Sequence, residues 1–330
     1  MGGSSWSDDY YADRRAQKQA TNTPTFAHHA QVQRAVAQGN TNAVKAHPTL
    51  DVKGKTRESR DSAAHPNSRP IGVIFDETGS MGEHPRVLQG KLPGLMGTLL
   101  RKGYIQDPQI LMGAVGDALC DRVPFQAGQF ESGVEMDEDL TNIFLESNGG
   151  GNGGESYALP MYFFARHTVS DAWEKRQEKG FLFIIGDEPC HPRITRSEVL
   201  TIFGDTIERD IPVRDIITEV QERYHLFFII PKHADRIKAH WQDLVGAENV
   251  LMLEDSQAIC ECIALAIGLC EGTVDLNDGQ KHIQDNGASA SIVRSVTSAL
   301  GDLSKKTALA RAGTGDLPAR TGKAKGVKRL

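Results

Sequence analysis

The chain lacks the sequence features of membrane-spanning and secreted proteins. No stretch approaches the roughly 18 consecutive apolar residues of a membrane span. Residues 1–20 are polar and charged, without the apolar segment of a signal peptide. The five cysteines are few for 330 residues and odd in number, which favours reduced thiols. Together these absences predict a cytoplasmic protein with no membrane partner.

A charge excess of one sign is also missing from most of the chain. The formal net charge is −6, and the 39% apolar and 24% charged content is ordinary for a globular protein. Residues 304–330 are the exception, because their only acid is Asp316 and their bases are Lys305, Lys306, Arg311, Arg320, Lys323, Lys325, Lys328 and Arg329. Such a stretch can bind polyanions, but no aromatic side chains are interleaved for base stacking. Nucleic acid is therefore an unfavoured partner.

Composition divides the chain into three regions. Residues 1–69 are polar and poor in large aliphatics, which predicts a partly disordered N-terminal arm. Within it, Ser7 is placed to cap a short helix through Gln19. Residues 70–275 form the predicted globular body, and residues 276–330 a flexible basic tail with one helical stretch from Ile292 to Leu303.

The body alternates short apolar runs with amphipathic ones. The predicted strands are residues 71–75, 110–115, 122–130, 181–185, 226–230 and 250–253. The predicted helices are residues 87–100, 137–145, 156–167 (extended towards 173), 197–203, 213–224, 234–245 and 257–270. Strands alternating with helices predict an α/β fold, with a doubly wound, mostly parallel sheet flanked by helices. In such sheets ligands bind beyond the carboxyl ends of the strands, where the strand order reverses.

Oxygen-bearing side chains follow the first strand of the body. Asp76, Thr78 and Ser80 alternate in a tight turn, and Gly79 and Gly82 allow it to fold sharply. Oxygen ligands suit a hard cation, with Mg²⁺ first and Mn²⁺ second. The turn lacks the Gly-Lys-Ser/Thr of a phosphate loop and the His or Cys of a zinc site. Helix capping by the same residue types is the alternative.

Two further segments converge on the same edge of the predicted sheet. Asp187 ends the run Ile184–Asp187, which places a second acid after another central strand. The glycine-rich loop 149–154 leads into Glu155 and Ser156 and can reach the same point. Ordering a loop this rich in glycine inside a domain costs conformational entropy, which favours a functional role for the loop over that of a flexible linker.

Asp-x-Thr-x-Ser-Met-Gly at residues 76–82, after a buried strand, resembles the metal-ion-dependent adhesion site of von Willebrand factor type A (vWA) domains. The glycine-rich loop and Ile-Gly-Asp-Glu-Pro at residues 185–189 look like the family's second and third site loops, in the family's order. The resemblance covers about residues 70–272. It implies a vWA or Rossmann-like sheet with one short antiparallel strand, here residues 122–130.

The resemblance also implies a set of metal ligands. Thr78 and Ser80 would bind through their hydroxyls, and Asp76 and Asp187 directly or through water. The family usually supplies a Thr from the second loop, which is missing here, so that Asn152, with Ser156 as the alternative, is the candidate. Glu77, Glu188 and Asp117 lie nearby and are interpreted as solvated loop carboxylates.

The predicted activity is metal-dependent binding of another protein, and not catalysis. Only two of the expected ligands are anionic and the hydroxyls add no charge, so the cation favours an Asp or Glu from a partner. The resemblance implies the same mode, and for cytoplasmic bacterial-type members an adaptor role beside AAA-type ATPases. A metal-dependent hydrolase would need a positioned base, for which Glu77, Glu188 and His191 are the candidates. A metal-independent scaffold that binds polyanions through its tail is the other alternative.

Overall fold

The computed structural model describes residues 6–21, 23–78, 81, 84–146 and 153–313. Numbered along the chain, its strands are β1 Arg57–Ser59, β2 Arg69–Asp76, β3 Pro108–Val115, β4 Phe125–Ala127, β5 Thr168–Ser170, β6 Gly180–Ile185, β7 Arg193–Ile194, β8 Ile211–Pro212, β9 Tyr224–Pro231 and β10 Val250–Leu253. Six of them form the central sheet in the order β10-β9-β6-β2-β3-β4. All neighbours in this sheet are parallel except β3 and β4.

The order of the strands reverses at β2. The chain passes from β2 to β3 on one side and later returns to β6 on the other side. Asp76 ends β2 in register with Val115 of β3, and Phe75 lies opposite Ile185 of β6. The carboxyl ends of β2 and β6 therefore meet at the switch point, which is where open α/β sheets bind ligands.

Helices cover both faces of the sheet. They are α1 Asp8–Ala20, α2 Ala27–Ala37, α3 His84–Arg101, α4 Glu135–Asn142, α5 Ala158–Arg166, α6 Asp171–Arg176, α7 Arg196–Ile202, α8 Val213–Arg223, α9 Lys238–Val245, α10 Ile259–Glu271, α11 Leu276–Asp285, α12 Ala290–Ala299 and α13 Gly301–Gly313. Val73 and Phe75 pack in the core that includes α3 and α10, while Ile74 packs in the core that includes α5, α8 and α9. The predicted fold class is confirmed.

Close packing under the sheet depends on one glycine in β2. A Cβ at Gly72 would lie 2.2 Å from Cζ of Phe164 on α5, well inside van der Waals contact. Glycine at this position lets the aromatic ring of α5 lie directly on the strand. The helix that follows the second site loop, α5, is thus packed directly on β2, the strand that ends in Asp76.

Two predicted elements differ from the observed ones. The helix predicted from residue 156 towards residue 173 is wrong in its second half, because α5 ends at Arg166 and Thr168–Ser170 pairs with Arg57–Ser59 instead. Ser170 then caps α6 by accepting a hydrogen bond from the backbone N–H of Trp173. The antiparallel strand predicted over residues 122–130 is confirmed but shorter, at Phe125–Ala127.

The described part of residues 1–69 packs on the body. Ser7 caps α1 as predicted, Arg14 of α1 forms a 2.5 Å ion pair with Glu138, and Lys18 binds Asp137. Leu50 and Val52 are buried in the two main cores. The division into an arm, a body and a tail stays a prediction.

The C-terminal region is helical as far as the structure describes it. Within the stretch predicted as one helix, α12 ends at Ala299 and α13 begins at Gly301. Val293 and Val296 of α12 are buried in the core beside α10. Residues 314–330, with half of the lysines and arginines of the predicted tail, lie outside the described residues. None of the described helices combines the length and apolar character that a membrane-spanning helix needs.

The carboxyl of Asp139 on α4 is expected to make the free energy of unfolding depend on pH. Burial raises the pKa of this carboxyl from 3.8 to about 7, and the Glu131 carboxylate adds to the rise, while Arg57 opposes it. The folded state therefore favours the protonated acid. Stability is lost as pH rises from about 4 through about 7. We expect Asp139→Asn to leave stability unchanged near pH 3 and to raise it by on the order of 1–3 kcal/mol at pH 8.

Urea unfolding between pH 3 and pH 8 measures this effect. The control is Asp285→Asn on α11, because Asp285 is an exposed acid. Curves for wild type and Asp139→Asn that stay parallel over the whole range would show that the Asp139 carboxyl does not contribute this pH dependence.

Candidate metal centre

Asp76 is a fully buried carboxylate held by three hydrogen bonds. Its Oδ1 accepts from the backbone N–H and the hydroxyl of Thr78 at 2.8 and 2.5 Å, and its Oδ2 accepts from the Tyr157 hydroxyl at 2.5 Å. Burial nevertheless raises the pKa of Asp76 to about 7. Two of the predicted ligands, Asp76 and Thr78, are therefore in direct contact, with the carboxylate oriented at the end of β2.

Asp187 lies at the end of the neighbouring strand and is 2% exposed. Its carboxylate is close enough to raise the pKa of Asp76 further. Its Oδ2 lies 3.1 Å from Nε2 of His233, and Arg236 donates to its backbone carbonyl at 3.0 Å. The structure thus places Asp76, Thr78 and Asp187 at the same edge of the sheet, beside its switch point.

The other two predicted ligands, Ser80 and Asn152, lie outside the described residues. Ser156, the alternative for the second loop, donates to Oδ1 of Asp117 and accepts from the backbone N–H of Ala118, both at 3.0 Å. Its hydroxyl therefore ties the second loop to the loop after β3. The choice between Asn152 and Ser156 stays open at this point.

Glu155 is a buried acid that the sequence interpretation did not single out as a ligand. It is 2% exposed, and no described residue hydrogen-bonds its Oε2. Burial raises its pKa to about 9, and the carboxylates of Asp76, Asp117, Asp121 and Asp187 act in the same direction. The signal available in the sequence was an acid between a glycine-rich loop and the apolar start of a helix.

Asp117 and Glu77 are also buried, at 0% and 3% exposure, so their interpretation as solvated carboxylates is wrong. Asp117 lies 3.0 Å from Nε2 of His191, and this hydrogen bond raises the pKa of His191. Glu77 accepts from Gln126 of β4 at 2.7 Å. Burial raises the pKa of Glu77 well above its usual value. Both acids add carboxyl groups to the carboxyl ends of β2 and β3.

Tyr157 connects the second loop to the first. Its ring is fully buried against Phe228 and Trp241, and its hydroxyl binds Asp76. A Cβ at Gly186 would lie 2.2 Å from this hydroxyl, so only glycine leaves room for the Tyr157–Asp76 contact. The glycine before Asp187 thereby sets the geometry of Asp76.

The chemistry of these groups fits a hard divalent cation. The carboxylates and the hydroxyl offer only oxygen, and the charged neighbours with the largest effects on the pKa values of Asp76, Glu77 and Glu155 are all acidic. Within the described ranges, however, no three His, Cys, Asp or Glu side chains are arranged to hold a metal ion. The Thr78 hydroxyl donates its proton to Asp76 and keeps its oxygen lone pairs available for an ion.

Comparison with known proteins returned only distant structural similarities. No protein-family model and no curated protein matches the chain. The pilus adhesin SpaC from Lactobacillus rhamnosus GG, in an open conformation, is 9% identical over 66% of this chain and 31% of its own, with a TM-score of 0.41. Proximal thread matrix protein 1 from the mussel byssus, in its second crystal form, is 10% identical over 65% of this chain and 48% of its own, with a TM-score of 0.42.

A further structure of the mussel protein is described as having a zinc-occupied MIDAS motif. It is 8% identical over 67% of this chain and 47% of its own, with a TM-score of 0.39. The chain thus spans less than half the length of these structures. Similarity at this level carries no argument about the site, so the fold class rests on the strand order and the two helix layers.

Proposed function

We propose that this protein is a metal-dependent protein-binding module, in which a divalent cation at the end of β2 and β6 binds an acidic side chain of a partner. The observation that carries the proposal is the convergence of Asp76, Thr78 and Asp187 at the switch point of the sheet. We further propose Mg²⁺, with Mn²⁺ as the alternative, because the donor set is entirely oxygen.

The residues that would hold the cation are Asp76, Thr78 and Asp187, joined by Ser80 and a second-loop residue from the resemblance to vWA domains. When bound, the cation would supply an electrophilic centre for an incoming carboxylate. Tyr157 holds the Asp76 carboxylate in place through its hydroxyl, and Arg236 holds the Asp187 backbone through its guanidinium. Both contacts position the acids before any ligand arrives.

A non-catalytic role is part of the proposal. The base considered for a hydrolase, His191, has Nε2 bound to Asp117 and Nδ1 facing Gly154, where a Cβ would lie 3.0 Å from that nitrogen. The contact with Asp117 ties the loop after Asp187 to the loop after β3, and it gives His191 a structural role that needs no external substrate. An adaptor working in the cytoplasm beside an AAA-type ATPase is the cellular role that the resemblance implies.

Direct titration with metal tests the site. We expect Mn²⁺ or Mg²⁺ to bind wild type at one site and Asp76→Ala to weaken that affinity by at least about 100-fold, because loss of an outer-shell partner alone costs 10- to 100-fold. Isothermal titration calorimetry measures both proteins. Asp285→Ala, at an exposed acid of α11, is the control and should bind like wild type.

The binding role is tested with the same variants immobilised on beads. A partner that belongs to the proposed site is retained by wild type in Mg²⁺, and is lost in EDTA and with Asp76→Ala. Unchanged metal affinity in Asp76→Ala, or partner binding indifferent to EDTA, would overturn the proposed function.

A further inference from the structure

A cavity of about 530 Å³ lies between three segments that are far apart in sequence. They are the stretch 44–53 before β1, residues 118–125 at the start of β4, and the helix α7. Cavities of roughly 300–1,000 Å³ are the usual sites of small organic ligands. Asp76, Thr78 and Asp187 do not line this cavity, so it is separate from the proposed metal centre.

Much of the lining is apolar because the cavity lies between two separate hydrophobic clusters. Val52 and Phe125 belong to the core that includes α5, α8 and α9, whereas Val123 belongs to a small cluster with Val32 and Phe144. Partly buried side chains at the edges of both clusters complete the apolar wall, namely Val44, Ala46, Ala118 and Ile202. A hydrocarbon group that fills the gap would remove this apolar surface from water, which favours its binding.

The charged side chains of the lining differ in how they are held. Arg122 donates to the carbonyl of Thr41 at 2.8 Å. Lys45 and Lys53, in contrast, are exposed and form no ion pair within the part of the chain that the structure describes. The three acids of the lining each accept a hydrogen bond from a backbone N–H, at 2.5 to 3.0 Å, and they are Asp51, Asp121 and Glu198. The acids are thus held by the backbone, while the two lysine ammonium groups are free to bind an anion.

We propose that this cavity binds an organic carboxylate with a hydrocarbon body, whose apolar part lies between the two hydrophobic clusters and whose carboxylate binds Lys45 and Lys53. A cavity that combines an apolar wall with two ammonium groups is complementary to such a molecule. An uncharged molecule of the same shape would gain the apolar contacts alone. The site uses none of the proposed metal ligands, so this inference goes beyond the proposed function and does not depend on it.

Octanoate is the probe, and EDTA is present so that no divalent cation binds its carboxylate. We expect saturation-transfer NMR to detect octanoate bound to wild type. Thr201→Trp, which fills the cavity from an exposed position of α7, should weaken this binding at least about tenfold. Leu200→Trp is the control, because Leu200 is 54% exposed on the same helix and does not line the cavity. No octanoate binding to wild type, or equal affinity of the two variants, would overturn the proposal.

The lysines are tested separately from the apolar wall. Lys45→Gln combined with Lys53→Gln should weaken octanoate binding at least about tenfold, because two charge-assisted contacts are lost. Lys55→Gln combined with Lys238→Gln removes the same charge from exposed positions outside the cavity, and should change the affinity by less than about threefold. An equal loss in both double variants would show a general attraction of anions and overturn the assignment of the carboxylate to Lys45 and Lys53.

Asp76→Asn, measured in parallel, separates this cavity from the metal centre. We expect this variant to bind octanoate in EDTA as wild type does, irrespective of its affinity for Mn²⁺, because Asp76 does not line the cavity. Loss of octanoate binding in Asp76→Asn would place the carboxylate at the edge of the sheet where the metal ligands lie, and would overturn the proposal.

Discussion

Trp241→Ala is expected to destabilise the protein by about 3–5 kcal/mol, the largest loss from a single truncation that we predict. The Trp241 side chain is fully buried, and its indole is stacked on Phe228 with ring centroids 3.5 Å apart. Its Nε1 donates to the carbonyl of Glu188 at 3.1 Å. Truncation leaves a large cavity and an unpaired carbonyl, and both add to the loss.

The same substitution should also weaken metal binding. Glu188 follows Asp187, and the Trp241 ring packs against Tyr157, whose hydroxyl orients Asp76. Urea unfolding in EDTA measures the first effect and Mn²⁺ titration the second. Trp173→Ala, at a partly exposed tryptophan on α6, is the control, with a smaller loss and unchanged metal affinity. Equal losses of stability for the two variants would contradict the role given to Trp241.

Metal at about 100 times its Kd is expected to stabilise wild type by roughly 2.7 kcal/mol, because it binds the folded state alone. For a domain of this size the melting temperature should rise by about 5–10 °C. Asp76→Asn should abolish the rise. In EDTA the variant should melt at or above the wild-type temperature, because burial disfavours the Asp76 charge and raises its pKa to about 7.

Thermal unfolding of wild type and Asp76→Asn in EDTA, Mg²⁺ and Mn²⁺ measures both effects, namely the rise in melting temperature with metal and the difference between the two proteins without it. Asp285→Ala, at an exposed acid of α11, should respond to metal as wild type does. A rise that survives in Asp76→Asn would place the ion elsewhere. With no rise in wild type, a metal-independent scaffold working through its terminal segments becomes the better interpretation.

The elements of the sheet were predictable because their signals are local. Phe181–Ile185 is a continuous apolar run bounded by Gly180 and Gly186, which is typical of a buried parallel strand. The end of α5 was not predictable in the same way. Residues 168–170 contain no glycine or proline that would end the helix, and they become a strand because Arg57–Ser59, far away in sequence, pairs with them.

The residues of the candidate site also fall into those that local sequence predicts and those that only the packed structure shows. Asp76, Thr78 and Asp187 were predicted because they directly follow apolar strands, and parallel strands end at one edge. Asp117 also follows a strand but was interpreted as solvated, because burial in a loop has no periodic signature. The role of Tyr157 and the burial of Glu155 depend on contacts between loops that are separate in sequence.

By itself, the sequence determined the alternation of strands and helices, the parallel sheet and the edge at which acids and hydroxyls gather. Hydrophobic periodicity and strand ends are properties of short segments, and they can be read without the rest of the chain. Only the tertiary structure decided which acids are buried together, that Tyr157 orients Asp76, and that Glu155 is buried at the start of α5. Burial and like-charge proximity are properties of the packed molecule, since they arise only when distant loops exclude water from the same volume.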